Sequence, residues 1–325
     1  MTTTDERPST LMLVAAIVCC AALKPAIARA QTPVRSISLS PPPAHGEPVG
    51  VWSGGALLTI DGHSTGAPVL RIYDSSGLEA ERIGLQIPGG EGILLMSHEF
   101  TRSATGYVAF AGTAYGDGDR AGGFLAIVSP DRTSQRVVRT EPNVSFAITF
   151  ASDGTIWTAG LLKDDSGRDV GDAASYYMIH RFDIQGRPLG GAVSRSTFPG
   201  PETPVGGSFF VTSKDRVGWV SPMAHRYMEF SLDGTLLASY PFAFSLEDVS
   251  GAALCDDDTL WMSVKLKPDP KSSVTGQQNT LATFDRATGT WHKGPTQPYF
   301  YLYGCSGNTL ITTTTWSNLN WLAEK

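Results

Sequence analysis

Acidic side chains recur along the chain at Glu47, Glu91, Glu141, Glu202 and Glu247–Asp248. Carboxylates that converge on one point bind hard cations such as calcium, and a divalent ion so held polarises a lactone or a sugar. The candidate ligand set is therefore Glu47, Glu91, Glu202, Glu247 and Asp248. The opposing reading is that these carboxylates solvate connecting segments, where Asp and Glu mostly sit. A second candidate, Asp117-Gly118-Asp119, starts like a calcium loop, but Ala121 and Val128 stand where further oxygen ligands belong.

Histidine is the usual base and a common metal ligand. The chain has no His-x-x-x-His pair for zinc and no G-x-S-x-G elbow for a serine nucleophile. His63 and His225 fall in loop-like segments, and Tyr299, Phe300, Tyr301 and Tyr303 crowd into an aromatic patch of the kind that stacks on sugar or peptide rings. Glu91, His63, His225, Tyr301 and Tyr303 are thus the candidate ligand-binding residues, with core packing as the competing role for the aromatics.

The elements that must position these residues repeat. An apolar residue, an Asp or Ser and a short turn appear as YDSSG, VSPDR, FDIQG, FSLDG and FDRATG, led by Tyr73, Val128, Phe182, Phe230 and Phe284. Each is a hairpin turn, since Asp and Ser bond nearby backbone groups and Gly supplies positive φ. A second hairpin precedes the first in each repeat, as in FASDGTIW, TSKDRVGW, LCDDDTLW and GCSGNTLI. Two hairpins per repeat of roughly 50 residues make four-stranded antiparallel sheets, and radial stacking of such sheets gives a propeller. Trp157, Trp219 and Trp261 recur in the second strand, where a large ring fills the wedge between blades.

The last repeat supplies only three strands, and Val34–Ser40 ahead of Pro41-Pro42-Pro43 is a free strand-like segment. Using it as the outer strand of the last sheet closes a six-bladed ring and removes an exposed edge. A seven-bladed ring with one degenerate blade is the alternative. Function is expected on the face that carries the blade-to-blade connections and the loops between second and third strands, because those segments differ most among repeats.

Residues 11–23 form an apolar run followed by Ala28-Arg29-Ala30, the pattern of a cleaved signal peptide. The expected organisation is a signal peptide over 1–30 and one propeller domain over 31–325, with 31–46 as closing strand and Pro-rich link. The destination is the periplasm or the exterior. The run is shorter than the roughly 20 apolar residues of a membrane span. Removing 1–30 takes two acids and three bases from a net charge of −6, leaving about −7, which disfavours nucleic acid as a partner. Cys255 and Cys305 remain, each four residues before a Thr of a second strand. A disulfide between neighbouring blades needs Cα atoms within roughly 7 Å, and both bonded and free states stay open.

The stretch AITFASDGTIWTAG with YMIHRFDIQGRPLG (147–160 and 177–190) resembles one repeat of the NHL-type, TolB-like six-bladed propellers. The resemblance implies an all-β ring of four-stranded blades. Propellers of this kind serve as scaffolds, ligand-binding modules, lactonases and lyases, so the fold leaves activity open. The expected function is an exported binding or scaffold module for a small molecule, glycan or protein. The alternative is a metal-assisted hydrolase or lyase, with calcium as the cofactor, at the channel mouth.

Overall fold

Hairpin chemistry sets the element boundaries. At Asp74, Asp153, Asp183, Asp233 and Asp285 the carboxylate accepts hydrogen bonds from the backbone amide two residues on, for example from Thr155 and Gln185 at 2.9 Å. Gly77, Gly154, Gly186, Gly234 and Gly289 end these turns at positive φ, which glycine adopts without steric cost.

The computed structural model describes residues 33–43, 50–61, 68–85, 94–115, 121–140, 143–162, 176–197, 208–244, 248–265, 278–298, 300–315 and 317–323. These form six four-stranded antiparallel sheets. Blade one is β2 (Gly50–Ser53), β3 (Ala56–Asp61), β4 (Val69–Tyr73) and β5 (Glu79–Gly84). Blade two is β6 (Leu94–Arg102), β7 (Val108–Tyr115), β8 (Ala121–Val128) and β9 (Gln135–Arg139). Blade three is β10 (Asn143–Phe150), β11 (Ile156–Leu162), β12 (Tyr177–Phe182) and β13 (Pro188–Ser194). Blade four is β14 (Phe209–Thr212), β15 (Arg216–Ser221), β16 (Arg226–Ser231) and β17 (Leu236–Pro241). Blade five is β18 (Asp248–Leu254), β19 (Leu260–Lys265), β20 (Gln278–Asp285) and β21 (Thr290–Pro298). Blade six is β22 (Tyr301–Ser306), β23 (Thr309–Thr313) and β24 (Asn318–Ala323), completed by β1 (Arg35–Ser38). The first strands of the blades neighbour one another in cyclic order, with β22 meeting β2, so the sheets form a closed six-bladed propeller.

Closure uses the N-terminal strand, as the strand count required. Arg35 pairs with Trp321, Ser36 with Asn320, Ile37 with Leu319 and Ser38 with Asn318. The chain then crosses to blade one, where Ser40 bridges Leu78. The buried Arg71 donates to the carbonyls of Pro42 at 2.8 Å and Pro41 at 3.1 Å and pairs with Glu79, while the Tyr73 hydroxyl donates to Pro41 O at 2.8 Å. Burial pushes the Tyr73 phenol up to about 12.

Antiparallel pairing sorts the connections onto two faces. The turns joining first to second and third to fourth strands lie on one, here the turn face. The blade-to-blade connections and the second-to-third links lie on the other, the loop face. All six seams between blades are bonded through residues of these turns and of the strands beside them. Ser53 donates to Arg102 O, and Arg132 pairs with Glu81 (blades one and two). Arg136 donates to Gln185 O (two and three), and Arg181 to Leu232 O (three and four). Arg286 pairs with Glu229 (four and five), and Arg35 donates to Ser75 O (six and one). Blades five and six share the Cys255–Cys305 disulfide, with Cα atoms 5.3 Å apart and a sequence separation of 50. Loop-closure entropy makes such a bridge worth about 4 kcal/mol.

The seams also hold the core. Trp157 and Trp261 face the following blade, in clusters with Phe230 and with Leu302 respectively. Trp219 departs from the repeat. The blade-four turn at Ser213–Asp215 is shorter than those of blades three and five, so Trp219 stands one residue further along its strand and faces back into the seam that holds Trp157. A one-residue slip reverses a strand's faces. Gly218 takes the place of the tryptophan, and the Tyr227 ring fills its space, 2.6 Å from where a Cβ would lie.

Candidate functional site

Five of the sequence-predicted residues, Glu47, His63, Glu91, Glu202 and Glu247, lie outside the described residues. The others belong to the loop face or to strands that start there, on three different blades. Asp248 opens β18, half-buried, and its Oδ1 accepts the Val249 amide at 2.8 Å. His225 is exposed in the turn before β16 at φ 52°, with its ring edge-on to Phe242 at 6.5 Å. Tyr301 is half-buried at the start of β22. Tyr303 sits deeper than the aromatic-patch reading placed it. The register of β22 shifts between Leu302 and Gly304, leaving Tyr303 as a bulge residue buried against Leu57, Tyr73 and Trp321. Its ring comes within 2.7 Å of where a Cβ on Gly50 would lie, and burial raises its phenol above the ordinary range. Phe300 is core as well. Tyr299 lies outside the described residues, and among the described residues of the patch Tyr301 is the one left partly open; His225, Asp248 and Tyr301 stand on three different blades.

The turn face is rich in carboxylates, and most of those described are engaged. A cleft of about 480 Å³ between blades two and three, in the usual size range of ligand sites, has Tyr107, Phe150 and Ile184 in its lining and Asp153 and Asp183 at its rim. Both carboxylates cap their own turns, and Asp183 also pairs with Arg187. A second cleft, of about 380 Å³, borders Asp257, Asp258, Asp285 and Arg286. Asp257 accepts the Thr259 amide, Asp285 caps its turn, and Asp258 pairs with Arg216 and Arg286. Among the described residues no group of three or more His, Cys, Asp or Glu is placed to hold a metal ion.

One arrangement on the channel side escaped sequence reasoning. The first strands of blades two, three, five and six each carry a register shift, at His98, Phe146, Ser250 and Tyr303. Such bulges re-aim side chains next to functional sites. The residue after the bulge is small in three blades, Ala147, Gly251 and Gly304, whereas in blade two it is Glu99. Glu99 stands opposite Ala111, which packs against Ile148 and Phe150 of blade three, so Glu99 faces that blade. From blade three, Asn143 and Ser145 face back. They pair with Leu162 and Gly160, on the side of β11 away from Trp157, Ala159 and Leu161, which point to blade four. Asn143 is 6% and Ser145 1% exposed, and neither Asn143 Nδ2 nor Ser145 Oγ has a hydrogen-bond partner.

Glu99 is itself reachable by solvent but enclosed by protein, and this desolvation pushes its carboxyl up to about 8. Among the described residues, that face of β7 and β10 offers Ala111, Thr113, Asn143 and Ser145, none of them ionisable. Desolvation makes the folded state hold this proton more tightly than the unfolded chain does. Because its folded pKa lies above the unfolded value, folding holds the proton and stability falls as pH rises from about 4.5 to about 8. Glu99→Gln is expected to be more stable than wild type above pH 8, with the difference closing below about pH 4.5. Thermal unfolding of both proteins across that range checks this; parallel pH profiles would refute it.

No family model and no curated protein matches the chain. Solved structures do. A member of the DUF4221 family from Bacteroides vulgatus superposes with a TM-score of 0.54 at 11% identity, covering 91% of this chain and 97% of that one. A streptogramin B lyase matches with a TM-score of 0.46 at 14% identity, covering 90% and 97%. A protein from Agrobacterium tumefaciens assigned as TolB matches at 0.46 and 10%, covering 77% and 80%. At these identities the likeness is one of fold: the chain is a six-bladed β-propeller.

Proposed function

We propose that the protein is an exported binding or scaffold module that holds a small molecule, a glycan or a protein partner at its loop face and channel mouth. The observation that carries this reading is the contrast between the two faces. On the turn face, most of the described carboxylates and arginines are engaged in turn capping and seam bonds. On the loop face, the second-to-third-strand links range from residues 222–225 in blade four to 163–176 in blade three and 266–277 in blade five. A bonded scaffold with unequal loops on one side is how recognition surfaces are usually built. Export is supported by the apolar run at 11–23 and by the disulfide, which persists in oxidising compartments.

The test is a thermal-shift screen of glycans and small metabolites, paired with capture of protein partners. It is run on wild type and on variants in which 163–175 or 266–277 is replaced by a short Gly-Ser link. A ligand present at 100 times its dissociation constant should stabilise wild type by about 2.7 kcal/mol. At least one loop variant should lose that gain while keeping the unliganded unfolding midpoint. The competing reading wins if the purified protein holds a stoichiometric divalent ion and hydrolyses lactones or sugar esters in a chelator-sensitive way.

A further inference from the structure

The polar group between blades two and three has a counterpart, and the comparison is informative. In the seam between blades five and six, the bulge residue Ser250 meets Ser263 and Asn279 at corresponding positions. Asn279 Nδ2 donates to Ser250 Oγ at 2.8 Å, Ser263 Oγ at 2.7 Å and Phe300 O at 2.9 Å, so the hydroxyls and the carbonyl of that group are tied together. In blade two the position of Asn279 is Gly123. Without a side chain there, the carbonyl of Asn143 approaches to 1.7 Å from where a Cβ would lie. The backbone of blade three thus occupies the place that a side chain at 123 would take, and no protein group completes the hydrogen bonds of Asn143 Nδ2 and Ser145 Oγ.

Buried polar groups left without partners cost stability, and such groups in a native protein point to something that binds there. We propose that this channel-side group, Glu99 with Asn143 and Ser145, is a binding site for a small neutral ligand bearing adjacent hydroxyls, a polyol or monosaccharide. The proposal deepens the binding-module reading and rests on it. The chemistry selects the class. Asn143 Nδ2 requires an acceptor, and Ser145 Oγ both gives and takes a hydrogen bond. Neighbouring hydroxyls supply both roles at once, whereas a hard cation requires oxygen ligands throughout and cannot accept from an amide N–H. Glu99, on the first strand of its blade, is partly open to solvent, whereas Asn143 and Ser145 are buried.

The experiment is calorimetric titration of the full mature chain with glucose, galactose, myo-inositol and calcium chloride. The proteins are wild type, Ser145→Ala, Asn143→Ala, Glu99→Gln and the 266–277 link variant. At least one of the three organic probes should bind wild type, and Ser145→Ala and Asn143→Ala should each weaken it about tenfold. Ser145→Ala removes a partnerless hydroxyl, so its unliganded melting point should equal or exceed that of wild type, which separates lost binding from lost folding. Unchanged affinity in Ser145→Ala, absence of binding by all three organic probes, or calcium binding abolished by Glu99→Gln would each overturn the proposal. If binding is lost only in the 266–277 variant, the seam is excluded while the binding-module reading stands.

Discussion

A chain lacking residues 31–43 is expected to lose more than about 5 kcal/mol of stability, with the whole ring melting early rather than blade six alone. The deletion strips β24 of its partner and uncovers Leu319 and Trp321. It also takes away the two backbone carbonyls that the buried Arg71 uses in blade one, together with the acceptor of the Tyr73 hydroxyl. The loss therefore combines apolar exposure with a guanidinium left partly unsatisfied in a dry seam. Leu39→Ala, which truncates a side chain only 5% exposed, isolates the apolar part and should cost about 2–4 kcal/mol. Denaturant unfolding followed by circular dichroism measures both, and an unchanged midpoint in the deletion would refute closure by the N-terminal strand.

The second large effect is expected at Glu229. Its carboxylate, on a residue 1% exposed, accepts from Arg286 Nη2 at 2.7 Å and Nε at 3.0 Å, and from the Tyr227 hydroxyl at 3.0 Å; Arg216 Nε lies 3.5 Å away. Coulombic repulsion from this carboxylate adds to burial in raising the Tyr227 phenol. Glu229→Ala leaves Arg216, itself 6% exposed, without its buried counter-charge, at an expected cost of about 3–5 kcal/mol. Replacing Arg216, Glu229 and Arg286 together by apolar residues of similar size should recover most of that loss, because a buried ion group is dearer to break than to remove. If the single and triple variants unfold alike, the network does not hold the seam between blades four and five.

How far the sequence revealed this molecule can be argued from particular residues. The turns were legible because their chemistry is local: the Asp-to-amide bonds at Asp153 and Asp183 and the positive-φ glycines three residues into each turn leave a pattern that repeats. The strand deficit of the last repeat, set against Val34–Ser40, pointed to the closure. Trp219 was misread because one residue fewer in a turn reverses a strand's faces, and repeat spacing alone does not count turn residues. Tyr303 was placed too far out for the same kind of reason, since a bulge is a non-local event at the meeting of two strands. Glu99 carried a signal that alignment of the repeats offers: it stands where the other bulged blades have Ala or Gly. What makes it a candidate, the facing Asn143 and Ser145, belongs to the next blade and has no sequence signature.

Amide hydrogen exchange of the mature chain, with and without the tightest-binding member of the ligand panel, tests the two-face account most directly. Added protection is predicted in peptides covering the loop-face connections and the starts of β6 and β10. The turns at 103–107, 151–155 and 255–259 should exchange alike in both states. Protection gained only at those turns, with the loop face unchanged, would place recognition on the wrong side of the ring and contradict the account.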